Sequence, residues 1–251
     1  MANRFVVHMM ALWLALFGLS NAAEAAAHYA KPGFEFPRDR KATVLVAYPD
    51  VRLNRQGKDG QEIPSPEWIS LAQRNLRTSL ENSRLPAIVD LRFMTAEQAA
   101  ASPLYPDLLA AYHRRTGEMI FKVPQGSQDV TKAKKCRCTY DFAELKDRVT
   151  AEFGPADFVL FVNQFDTYAT TGQILGEIAG ATAVGMVTPK GMVAPMRPTR
   201  VHAGNAILFD LKTGEVVWMH GDGAFGGDLR DPEPATVRMG QALSGFPGLK
   251  K

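Results

Sequence analysis

The chain has 251 residues, 46% of them hydrophobic, with two cysteines and a formal net charge of +3. That length suits one domain with its own hydrophobic core and no need of disulfide staples. So small a basic excess argues against a dedicated nucleic-acid binder and selects no acidic partner.

Residues 1–27 read as a cleavable secretory signal peptide. Arg4 precedes an apolar run over residues 5–19, and small residues follow with two A-x-A sites, Ala23-Glu24-Ala25 and Ala25-Ala26-Ala27. Asn21 and Glu24 end the run too early for a permanent anchor, and no later stretch reaches the roughly 20 uninterrupted apolar residues of a membrane span. The absence of a cysteine near the cleavage site closes the lipid-attachment route. The expected product is a soluble periplasmic or secreted protein that starts near His28, with no transmembrane anchor after cleavage. It keeps about 224 residues, enough to bury on the order of 70% of its unfolded surface.

Residues 28–41 are polar and carry Pro32, Gly33 and Pro37, which predicts a flexible lead-in to a single domain over residues 42–251. Thr43-Val44-Leu45-Val46-Ala47 predicts a buried strand, followed by a long loop through Gly57, Gly60 and Pro64. Ser65-Pro66-Glu67 then opens an amphipathic helix with Trp68, Leu71, Ala72, Leu76 and Leu80 on one face. Residues 88–93 alternate apolar and charged side chains, as an edge strand with one solvated face does.

Two short helical stretches fit residues 95–114, interrupted near Pro103 and Pro106, and residues 119–123 fit a strand. Residues 95–138 as a whole read as an insertion. Phe142, Leu145, Val149 and Phe153 predict a second amphipathic helix stopped by Gly154-Pro155. Phe158-Val159-Leu160-Phe161-Val162 has no polar break and predicts a central strand covered on both faces.

Between residues 170 and 200, three glycines weaken a helix that Ile174, Leu175, Ile178 and Ala181 would otherwise suggest. Met186, Met192, Val193 and Met196 follow among prolines and suit an adaptable partner-contact surface, because unbranched thioethers repack easily. Residues 206–209 and 216–219 are β-branched and aromatic runs flanking Asp210-Leu211-Lys212-Thr213-Gly214, which predicts a β-hairpin. In it Asp210 and Gly214 serve turn geometry and Trp218 serves packing. Residues 232–243 predict a final helix ended by Gly245, Pro247 and Gly248.

Little of this spells chemistry. Cys136 and Cys138, two apart, suit a local disulfide or two inert thiols better than a metal or redox site. Residues 221–226 match G-x-G-x-x-G, but no helix pattern starts at the last glycine, and Asp222 and Asp228 put negative charge where a pyrophosphate would sit. Asp222, Asp228 and Asp231 lack the spacing of a calcium loop. Of His28, His113, His202 and His220, only the last two come near each other in the predicted topology. Depending on the turn they lie on opposite faces, or on one face about 13 Å apart at about 3.3 Å per residue, and neither arrangement builds a metal site. Asp166 and Glu177 are isolated carboxylates. No catalytic, cofactor-binding or metal residues are assigned, and no cofactor is expected.

The strand at 156–162, A-D-F-V-L-F-V, and the later A-I-L-F-D-L-K-T-G-E-V-V-W at 206–218 carry a resemblance. Together with the Gly/Ala-rich crossover between them, they resemble a group of bacterial envelope proteins. The group includes the curli-secretion lipoprotein, the amino-terminal domain of the Tol-system propeller protein, and the outer-membrane lipoproteins that activate penicillin-binding proteins. The resemblance implies an α/β (α+β) fold with a mixed sheet and a C-terminal antiparallel hairpin packed by helices, which the periodicities give independently. It also implies non-catalytic work: an exported accessory or adaptor protein that binds another envelope component. This chain departs from the lipoprotein members in lacking the lipidated cysteine. The alternative is a periplasmic small-molecule-binding protein or hydrolase with a site assembled from non-local residues.

Overall fold

The structure is a computed structural model that describes residues 27–57, 61–121, 142–168, 200–223 and 225–249. Its centre is β6, Phe158–Tyr168, whose first five residues are all buried, as a run without a polar break requires. Around it lies an eight-stranded mixed sheet. β1 (Ala27–Ala30), β8 (Val216–Asp222), β7 (Arg200–Asp210), β6, β2 (Ala42–Val46) and β5 (Val89–Phe93) follow in that order. β6 runs antiparallel to β7 and parallel to β2, and β2 runs parallel to β5. The mixed α/β class is the one the sequence predicts, and β5 is an edge strand as its alternation requires.

Helices cover both faces. On one side α1 (Pro66–Glu81) buries Ala72, Leu76 and Leu80 completely, and α6 (Pro232–Ala242) adds Ala235, Met239 and Ala242. Burying each α1 leucine contributes roughly 1.5–3 kcal/mol, which makes this stripe the main attachment of α1 to the sheet. The short α2 (Leu85–Ile88) adds Leu85 to the same cluster. On the other side α3 (Ala96–Ala101), α4 (Tyr105–Phe121) and α5 (Phe142–Phe153) pack Ala99, Leu108, Tyr112, Leu145, Val149 and Phe153 against Val159, Phe161 and Phe209.

Four expectations are corrected. The lead-in is not free of the sheet: Ala27–Ala30 forms β1, paired antiparallel with β8, and Phe34 and Phe36 pack edge-on against Phe158. Its polar composition hid this because an edge strand needs few apolar residues. The loop expected after β2 contains β3 (Asp50–Gln56) and β4 (Glu62–Pro64); Val51 and Leu53 are buried between charged neighbours, an alternation masked by the number of charges. The strand expected over 119–123 is helix through Phe121, since the period of α4 continues into it. Finally, the described part of the expected insertion is a layer of the core, because α3 and α4 cover the second face of the sheet.

β2 and β3 are successive halves of one path along β6. Val44 lies opposite Phe158, and Asp50 lies opposite Asn163, so one extra residue interrupts the register at Ala47-Tyr48-Pro49. The outer partner changes at this break from β5 to β4. A crevice opens there.

The β7–β8 turn is organised by two residues. The Asp210 carboxylate accepts hydrogen bonds from the backbone N–H groups of Lys212 (2.7 Å) and Thr213 (3.2 Å), and Gly214, at φ +70°, donates its N–H to the Asp210 carbonyl at 2.8 Å. A register shift between Leu208 and Phe209 follows. Trp218 is fully buried, with its ring 5.1 Å from that of Phe246.

Candidate functional site

The even residues of β6 share one face. Phe158, Leu160 and Val162 are apolar, whereas Gln164, Asp166 and Tyr168 carry polar groups under α6. Arg238 descends from α6 into this polar half, and Arg238, Gln164 and Asp166 are all 0% exposed. The guanidinium donates from Nε to Gln164 Oε1 at 2.7 Å, from Nη1 to Asp166 Oδ2 at 2.8 Å and from Nη2 to the Ala203 carbonyl at 3.1 Å. Asp166 Oδ1 lies 2.7 Å from Nη1, an ion-pair contact, and 3.2 Å from His202 Nδ1, neither with hydrogen-bond geometry. Gln164 rests over Gly204: a Cβ there would stand 2.6 Å from Gln164 Nε2, so only glycine fits this position in β7.

A second tier closes the site outward. The Tyr168 hydroxyl bridges two carboxylates, Asp166 Oδ2 at 2.6 Å and Asp228 Oδ1 at 3.1 Å; its single proton serves one at a time. Burial, reinforced by Asp166, pushes the Tyr168 pKa far above its ordinary value. Arg230 forks onto Asp228, Nε to Oδ1 at 2.9 Å and Nη2 to Oδ2 at 2.6 Å, and stacks over the rings of Tyr168 and Trp68 at 4.0 and 4.5 Å. Burial pulls the Asp228 pKa upward, but its bonds from Arg230 outweigh it and leave a net lowering. The same bonds raise Arg230.

This network ties α6 and the loop before it to the sheet. Its central ion pair has no exposed surface, so it positions structure and offers no reacting group to a substrate. A second polar group lies across the sheet, where Asp50 Oδ2 accepts from Asn163 Nδ2 at 2.8 Å and faces His113 Nε2 at 3.1 Å. Tyr112 donates to Asn205 and stacks on Phe161 nearby.

Asp166 was visible in the sequence as an isolated carboxylate; its partners Arg238, Gln164 and Tyr168 were not, because a lone arginine on a helix reads as solvated. His202 and His220 lie on one face of the hairpin, four positions apart in its register, and the partner facing His220 is instead His28. The G-x-G-x-x-G stretch ends a strand without opening a helix: Phe225 is buried, Gly226 donates to Gln241 Oε1, and the next helix begins at Pro232. Cys136, Cys138, Glu177, Met186, Met192, Val193 and Met196 lie outside the described residues. Among the described residues no group of three or more His, Cys, Asp or Glu side chains is placed to hold a metal ion, and no helix is long and apolar enough to cross a membrane.

One of several concavities among the described residues is the crevice at the β2–β3 break, about 470 Å³ in volume; others of about 460 and 390 Å³ lie beside Lys41 and Asp90 and between Ser83 and Leu243. The β2–β3 crevice lies beyond the carboxyl ends of the parallel strands β2 and β5, where open α/β sheets commonly receive ligands. Tyr48, Gln73, Arg74 and Arg77 line one side and Thr95 and Glu97 the other. Tyr48 donates to Gln73 Oε1 at 2.9 Å, and Gln73 donates to the Pro49 carbonyl at 3.1 Å, which fixes the floor.

No protein-family model matches the chain, and no curated protein matches it by sequence. Among solved structures, PelC from Paraburkholderia phytofirmans, a dodecamer, aligns with 14% identity and a TM-score of 0.36, covering 87% of this chain and 94% of PelC. The C-terminal domain of LpoB from Salmonella enterica aligns with 12% identity and a TM-score of 0.28, covering 76% of this chain and 84% of that domain.

Proposed function

We propose that the chain is an exported, non-catalytic accessory protein of the cell envelope that acts by binding another envelope component. The observation that carries this reading is the state of the strongest convergent chemistry in the fold. Asp166 and Arg238 face each other at zero exposure, and Arg238 is bonded to Gln164, Asp166 and Ala203, so they hold the fold around them instead of working on a substrate. Removal of residues 1–27 during export gives the chain its compartment, and Met186, Met192, Val193 and Met196 give it an adaptable contact surface. A photo-crosslinking residue at Met192, placed in the full chain in its native host, is expected to capture one envelope protein. Excess uncrosslinkable chain should compete the capture away. Absence of a saturable adduct, together with a metabolite that co-purifies with the protein or is turned over by it, overturns the reading.

The crevice supports a second reading, a small-molecule-binding protein. Its mixed lining of two arginines, a glutamate, a tyrosine and a glutamine suits a polar ligand with an anionic group. Native mass spectrometry of the purified chain separates the two readings, since a stoichiometric small ligand that Arg74→Ala releases favours this one.

A further inference from the structure

We propose that the crevice at the β2–β3 break binds an apolar α-amino acid as its zwitterion, an inference that rests on the small-molecule reading of this site. Arg74 takes the carboxylate, Glu97 takes the ammonium, and the side chain enters the apolar part of the crevice.

The topology makes this a place for a ligand. β2 and β5 lie side by side and parallel, yet the chain leaves them toward opposite faces of the sheet. After β2 it runs through β3 and β4 to α1, whose Ala72, Leu76 and Leu80 pack with Val44 and Val46; after β5 it runs to α3 and α4, whose Ala99 and Leu108 pack with Leu45. Parallel neighbours whose connections diverge in this way leave a gap at their carboxyl ends, the position at which open α/β sheets hold small ligands. The gap is shaped before any ligand arrives, because the Tyr105 hydroxyl donates to the Tyr48 carbonyl at 2.7 Å and the Tyr48 hydroxyl donates to Gln73 Oε1 at 2.9 Å.

Charge selects the ligand. Three charged side chains line the crevice, Arg74, Arg77 and Glu97. Arg77 is already committed: its Nε donates to Glu81 Oε1 at 2.9 Å, and its guanidinium lies 4.9 Å over the Phe93 ring. Arg74 and Glu97 are exposed, stand on opposite sides of the crevice, and among the described residues neither is in an ion pair. Both are felt at one hydroxyl, since burial pushes the Tyr48 pKa up, Glu97 adds to the rise and Arg74 opposes it. Bonds from its own backbone N–H and from the Thr95 hydroxyl hold the Glu97 carboxyl below its ordinary range, so it is charged at neutral pH. A plain anion would satisfy Arg74 and be repelled by Glu97, and a plain amine would do the reverse; a zwitterion satisfies both and brings no net charge.

An α-amino acid carries both charged groups and its side chain on one carbon, so the side chain points away from the two charges. Val46, Leu80, Phe93 and Met94 give it an apolar lining. The volume of about 470 Å³ falls in the lower part of the roughly 300–1,000 Å³ range of small-molecule sites, a size suited to a ligand of this kind.

The test is calorimetric titration of the purified, dialysed full chain with leucine, methionine and phenylalanine, and then, for the tightest of them, with its N-acetyl derivative and its decarboxylated amine. One amino acid is expected to bind, and each analogue, having lost one charged group, to bind at least about 10-fold more weakly. Glu97→Gln should close the gap to the N-acetyl derivative, and Arg74→Gln the gap to the amine. Both residues are exposed, so neither variant disturbs the core. Amino-acid binding that both variants leave unchanged overturns this site. An N-acetyl derivative that binds as tightly as the amino acid, in the parent and in Glu97→Gln alike, overturns the zwitterion and leaves an anion-binding crevice standing. Failure of all three amino acids to bind overturns the inference, and native mass spectrometry then decides the reading beneath it: a stoichiometric ligand released by Arg74→Ala keeps the small-molecule reading, and its absence removes both.

Discussion

Arg238 and Asp166 meet at 2.7 Å with both side chains fully excluded from solvent. The pair joins α6 to the central strand across 72 positions of sequence. Removing water from two charges costs several kcal/mol each, and only their mutual attraction and the bonds to Gln164, Tyr168 and Ala203 offset it. Breaking one side should therefore cost more than removing both.

Asp166→Asn and Arg238→Met are each expected to destabilise the fold by about 3–5 kcal/mol in urea unfolding. The double variant Asp166→Leu with Arg238→Met should lose less than the sum of the single losses, because no unpaired charge is left buried. Strict additivity would show that the two residues act separately.

The polar tier around Asp228 gives the fold a pH dependence at both ends. The folded-state pKa of Asp228 lies below its unfolded value of about 3.9, so its pairing stabilises the protein above that pH. The contribution is lost as pH falls through the folded value. Tyr168 works at the alkaline end: its pKa is raised, so its contribution is complete below the unfolded value of about 10 and is lost as pH climbs above it. Unfolding midpoints measured from pH 2 to 11 should fall at both extremes, and Asp228→Asn should flatten the acid limb.

Two glycines near Arg238 should respond oppositely to alanine. Gly227 stands at φ +89°, with a Cβ position 2.3 Å from the Pro234 carbonyl, so Gly227→Ala should destabilise by about 1–3 kcal/mol. Gly240 lies within α6 with nothing within 4 Å of its Cβ position, so Gly240→Ala should stabilise by about 0.5–1 kcal/mol. Thermal melts of the two variants give the comparison directly.

Trp218 is buried against Phe246, and its indole N–H has no hydrogen-bond partner among the described residues. Trp218→Ala should cost about 3–5 kcal/mol, and Trp218→Phe at most about half of that, since it keeps a ring in the core and removes the unsatisfied donor. A Trp218→Ala protein that melts like the parent would place this residue outside the core.

Elements whose apolar periodicity is strong were legible in the sequence: the α1 stripe from Ala72 to Leu80, the unbroken run opening β6, and the hairpin with its Asp210 and Gly214 turn. What stayed hidden depends on partners far away along the chain. β1 has only four residues and no apolar pattern, and its place comes from pairing with Trp218 to Gly221. β3 hid Val51 and Leu53 among charges. The Asp166–Arg238 pair joins two residues that each read as solvated in isolation, and the facing of His28 and His220 follows from β1, so no local spacing announces either.

The strand carrying His28 is the first described element to be made, yet the strand it pairs with, β8, is almost the last. Closing so long a loop is entropically unfavourable until the intervening sheet exists to hold the partner edge. β1 must therefore wait for the hairpin before it can dock on the sheet. If the chain is exported as proposed, this order of assembly would leave its amino-terminal stretch open to processing until the partner edge exists.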